Sequence, residues 1–119
     1  MKGVHWIDLG QWPCRLAFVA DEKGFARFNQ AFCDGTIEPG YPKTDGGCCY
    51  KLQNPAGEPL FLLAVGKASS RNQRACTIAH EAVHVMQFVL EHLGEEKPGI
   101  ETQAYLVEHV LRNALQAVS

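Results

Sequence analysis

A chain of 119 residues has room for one domain with a real core and for a single active cleft. Its formal charge of -2, with 20% charged and 46% hydrophobic residues, is ordinary for a soluble protein, and no run of Lys or Arg tracks a phosphate backbone, so nucleic acid is not the default partner. The opening MKGVHWIDLGQWPC has no apolar export segment and no stretch reaches the roughly 18 apolar residues of a membrane span, which predicts an unexported, cytosolic protein without a membrane partner.

The elements follow in chain order. Val4–Leu9 and Arg15–Ala20 are short apolar runs separated by Gly10 and Pro13, as expected of two strands. A helix is predicted from Glu22 to Phe32, with Phe25, Phe28, Ala31 and Phe32 at helical spacing. The stretch from Asp34 to Gly47 is rich in Gly and Pro and reads as an irregular loop. Cys48–Gln53 and Leu60–Val65 flank the turn signal NPAGE and predict a hairpin, whose second strand, nearly all apolar, belongs well inside the sheet.

Ser70 followed by Gln73 forms a capping-box pattern, and apolar spacing sustains one helix to about Leu93, where Gly94 stops it. Apolar residues cover most of that helix, which is expected to be largely buried. They leave a polar stripe of Thr77, His80, His84, Gln87 and Glu91. After GEEKPG, a last helix is predicted from Ile100 to Ala117, with a core stripe of Ile100, Ala104, Val107, Leu111, Ala114, Leu115 and Val118 and a neighbouring stripe of Glu101, Tyr105, Glu108 and Arg112. The whole is an α+β pattern. The cysteines (Cys14, Cys33, Cys48, Cys49 and Cys76) are odd in number with two adjacent, which favours reduced thiols in small apolar sites over a disulfide framework.

The chemistry concentrates at His80-Glu81-Ala82-Val83-His84. Histidines four apart on a helix lie roughly 6 Å apart along the axis and point the same way, so both can ligate one zinc ion. A glutamate directly after the first is turned about 100° from it, off the metal but near enough to serve as general base toward a metal-activated water. A catalytic zinc usually has three protein ligands, and Glu101 at the start of the next helix has the right type and place. The metzincin pattern, a further His six residues on, is excluded because Leu90 stands there.

With LFLLAVG before it and GIETQAY after it, this motif resembles the zincin superfamily of metallopeptidases, in a minimal gluzincin form known from bacteria and phages; the likeness spans roughly Leu60–Val110. The resemblance implies a zinc metallopeptidase with zinc on His80, His84 and Glu101 and with Glu81 as general base. It also implies a small mixed sheet whose strand before the helix is an edge that holds an extended peptide or protein substrate. Several gluzincins carry an acidic residue four positions after the ligand Glu; Tyr105 stands there. Tyr105 and His109, one and two turns after Glu101, are candidate hydrogen-bond donors to the oxyanion.

Two other readings compete. Peptide deformylases pair HExxH with an upstream cysteine ligand, for which GGCC offers Cys48 and Cys49, although the residues around Cys48 do not match that family's pattern. From another class comes a zincin-like protein-binding module without turnover. A solvent-facing polar stripe accounts for His80, His84, Gln87 and Glu91 equally well, but leaves the order His-Glu and the place of Glu101 as coincidences.

Overall fold

The computed structural model describes residues 1–38, 40–53, 57–95 and 97–119. The expected α+β architecture is present: a four-stranded mixed sheet with helices on both faces. In chain order the elements are β1 (His5–Ile7), β2 (Arg15–Val19), α1 (Glu22–Cys33), β3 (Gly47–Gln53), β4 (Pro59–Val65), α2 (Arg71–His92) and α3 (Ile100–Val118). The sheet order is β1-β2-β4-β3. β2 and β4 pair in parallel, and the outer strands pair antiparallel with their neighbours.

The apolar run of β4 has its explanation in this order. Leu60, Phe61, Leu62, Leu63, Ala64 and Val65 are all buried, because β4 is flanked by strands on both sides and covered on both faces. The strand before the motif is thus an interior strand, not the edge that the resemblance implied; the edge strand next to it is β3. Alternation divides the sheet residues between two cores. Leu16, Phe18, Phe61, Leu63 and Val65 pack with Ile78, Val85, Val89, Leu106 and Val110 under α2 and α3; Ala17, Val19, Leu60, Leu62 and Ala64 pack with Phe25 and Phe28 under α1. Each fully buried large aliphatic or aromatic side chain contributes about 1.5–3 kcal/mol, so the two-sided burial of β4 makes it the best-anchored strand.

Two local signals start the helices. Asp21 accepts from Gly24 N at 2.6 Å to cap α1, and Ser70 Oγ accepts from Gln73 N at 3.0 Å to cap α2. The capping box at α2 is half-made, since Gln73 Nε2 donates onward to Thr77 Oγ1 at 3.2 Å. Helices α2 and α3 run antiparallel, with Arg74 donating to the Val118 carbonyl at 3.1 Å.

The C-terminal part of the expected α3 core stripe is present, with Ala114 buried and Val107, Leu111, Leu115 and Val118 packed against the core, and its first turn departs from expectation. Leu106, Val110 and Ala114 are the buried residues of the helix, while Ile100 is 82% exposed and Ala104 is exposed. The helix packs against both α2 and β1, and Leu106 and Val110 join its buried line. Cys76 is exposed where a core position was expected; all five cysteines are free, and the other four are half-buried. No helix among the described residues is long and apolar enough to cross a membrane. The NPAGE turn falls largely at residues 54–56, outside the described residues.

Candidate metal centre

The site is built from α2 lying against the edge strand β3. Gly47 is what lets the two approach: a Cβ there would meet Thr77 Cγ2 at 2.8 Å and Glu81 Cγ at 2.9 Å, closer than real Cβ contacts come. The loop before β3 is pinned to the same helix, with Thr77 Oγ1 donating to the Asp45 carbonyl at 3.2 Å and Asp45 Oδ1 accepting from Ser69 N at 2.7 Å. Further along, Lys51 of β3 reaches Glu91 of α2 at 3.3 Å and lies 5.1 Å from the Phe88 ring centre.

On this scaffold His80, Glu81 and His84 converge. Their ligand atoms all lie within 4.8 Å of one another, the group of this kind found among the described residues. His80 stands in solvent with its side chain 71% exposed, and its Nε2 is 3.9 Å from Glu81 Oε1. His84 is half-buried, with its ring 5.0 Å from that of His80 and stacked on Phe88 at 6.2 Å. Its Nδ1 is 2.9 Å from Gln87 Oε1. An amide oxygen only accepts, so Nδ1 carries the proton and Nε2 keeps the lone pair that a metal needs. Gln87 is thus an orienting partner of the kind that metal-ligating histidines have, and its signal in the sequence is a polar residue one turn on along the same stripe.

Glu81 is the buried polar residue of the described chain, 6% exposed. Burial pushes its carboxyl up from the usual range, and the adjacent His84 and His80 oppose that shift. A carboxyl with a raised proton affinity beside two imidazoles is suited to taking and returning a proton. The donor set, two imidazole nitrogens with a carboxylate beside them, fits zinc or another borderline divalent ion.

The other predicted site residues lie elsewhere. Glu101 is exposed in the first turn of α3 and is not a member of the converging group. If the antiparallel register set by Arg74 and Val118 continues, Glu101 is level with Glu91, about 10 Å beyond His84 along the axis. Tyr105, 62% exposed, and His109 line a cleft with Leu9, Gly10 and Trp12, and His109 Nε2 is hydrogen-bonded to the Asp8 carbonyl. That cleft lies by β1, at the opposite edge of the sheet from β3, so the structure does not bring these two donors to the histidines. Glu108 pairs with Arg112 on the same outer stripe.

Two hollows flank the free edge of β3. One, of about 610 Å³, opens on the α2 face between Lys51, Pro59, Phe61, Phe88 and Glu91. The other, also about 610 Å³, runs along Cys48–Gln53 on the α1 face, walled by Phe32, Ile37 and Glu38. The loop from Asp34 to Gly47, unreadable in the sequence, supplies part of that second wall. No protein-family model, curated protein or solved structure matches this chain.

Proposed function

We propose that the protein is a metal-dependent hydrolase of the zincin kind that cleaves a peptide bond, with His80 and His84 holding zinc and Glu81 acting as general base. The observation that carries this reading is the convergence of His80, Glu81 and His84 beside the open edge of β3. When bound, the metal polarises a carbonyl and makes a water molecule more acidic. Glu81, one residue off the ligand stripe, takes the water proton and later hands it to the leaving amine. Its burial favours that second step by keeping the protonated form accessible. Gln87 holds the His84 tautomer that leaves Nε2 available.

The substrate in this reading is an extended peptide laid along β3. An added strand is held by main-chain hydrogen bonds to the free edge, and its side chains alternate between the two faces of the sheet. The two hollows that flank β3 match that alternation, one with a floor of Phe61 and Phe88 and the other walled by Phe32 and Ile37. Five free cysteines suit a reducing compartment, and we place the protein in the cytosol on that ground.

Glu81→Gln provides the test. It should retain bound zinc and reduce cleavage of a mixed peptide library by about a hundredfold or more, the usual reach of general-base catalysis. A protein-binding module built on the same fold would be indifferent to that substitution, and equal cleavage by wild type and Glu81→Gln would defeat the peptidase reading.

A further inference from the structure

We propose that Cys49 is the third protein ligand of the metal, making a His80, His84 and Cys49 site with Glu81 left free as the base. This rests on the reading that the two histidines hold a metal; it replaces Glu101 as the ligand that completes the set.

The register of β3 against α2 supplies the first argument. Gly47 faces α2, since a Cβ there would touch Thr77 and Glu81; Lys51 faces α2 as well, against Phe88 and Glu91. Side chains alternate along a strand, so Cys49, midway between them, is on that same face. Strand and helix advance together here, from Gly47 at Glu81 to Lys51 at Phe88. Four strand residues cover about 13 Å and seven helical residues about 10 Å, so the midpoint of the strand segment falls opposite His84 and Val85.

The surroundings of the two thiols agree. Cys49 packs against the core under α2 and α3, whereas Cys48 packs against the core under α1, beside Tyr50. Burial raises the Cys49 thiol well above its ordinary value, and the nearby Glu81 carboxylate raises it further. Binding would exchange the thiol proton for the metal: the S–H bond breaks, a sulfur–metal bond forms and one proton passes to solvent. Its Sγ is not among the atoms already within 4.8 Å of one another, so the proposal asks for a side-chain rotation in the layer between β3 and α2. Glu101, by contrast, is exposed in the first turn of α3 and is not part of the converging group.

Cobalt(II) substitution reads sulfur ligation directly. Added to the metal-free full chain, Co²⁺ should produce a near-ultraviolet thiolate-to-cobalt charge-transfer band that survives in Cys48→Ser and Glu101→Gln and vanishes in Cys49→Ser. Zinc affinity should fall at least about tenfold in Cys49→Ser, a loss seen even when an outer partner of a ligand is removed. Far-ultraviolet circular dichroism checks that this variant folds. Should it not, a chain in which Cys14, Cys33, Cys48 and Cys76 are all Ser must keep the band. Cobalt bound without the band, or a band that persists in Cys49→Ser, overturns the Cys49 assignment and leaves the histidine reading standing. Wild-type protein that binds neither cobalt nor zinc overturns the metal reading itself, and the ligand assignment with it.

Discussion

At the scale of single residues the decisive one is Glu81, a carboxyl put in a dry place next to two bases. Its folded value lies above the ordinary 4.5 because burial outweighs the opposing pull of His84 and His80. The folded state therefore holds its proton at a pH where the unfolded chain has already released it, and stability falls as pH rises through that interval. In metal-free protein, the urea midpoint of wild type should drop between pH 4.5 and neutrality by more than that of Glu81→Gln; parallel profiles would contradict the burial argument. Gln87 makes a second prediction at this scale. Gln87→Ala should weaken zinc binding by about tenfold through loss of the hydrogen bond that orients His84, while changing the thermal midpoint little, because Gln87 is exposed. Unchanged zinc affinity would show that His84 is oriented by its stacking on Phe88 alone.

Among the elements, α2 and β3 form the working pair, and Gly47 sets their spacing. Gly47→Ala should cost about 1–3 kcal/mol, as inserted methyl groups in packed interiors do, and should lower metal affinity by pushing Glu81 and Thr77 outward. Chemical denaturation with a parallel zinc titration checks both, and a variant as stable and as zinc-competent as wild type would show that the strand and helix are not held so closely. This is also the scale at which the sequence was most and least readable. The cap at Ser70, the spacing of Ile78, Ala82, Val85 and Val89, and the interior character of β4 are local patterns that match the structure, whereas Val83 and Leu93 are exposed and α2 is less buried than its apolar coverage suggested. The exposed Ile100 and Ala104 were not readable, because which side of an amphipathic helix is deepest depends on whether it meets one neighbour or two. Nor could spacing alone tell that Tyr105 and His109 face the β1 side, since a helix presents several faces and only packing chooses among them.

At the scale of the whole molecule, the sheet order places the chemistry. With β4 and β2 interior and β3 at one edge, α2 packs on β3 and β4 while α3 lies toward β1, which puts the HExxH helix on the β3 side of the sheet. That arrangement puts the His80, Glu81 and His84 group beside the outer strand of the sheet. Glu101 is exposed in the first turn of α3 and outside the group that His80, Glu81 and His84 form. Most of the helix and sheet content was legible, and the motif with it; the placement of Tyr105 and His109 in a separate cleft by β1 was not, because it depends on how α3 packs.

The most direct test of the central claim is the zinc content and zinc affinity of the native chain measured beside His84→Ala. The account predicts one zinc per chain in wild type and its loss in His84→Ala without loss of fold. Native protein free of zinc and unable to take it up, or His84→Ala that binds zinc as tightly as wild type, would contradict it.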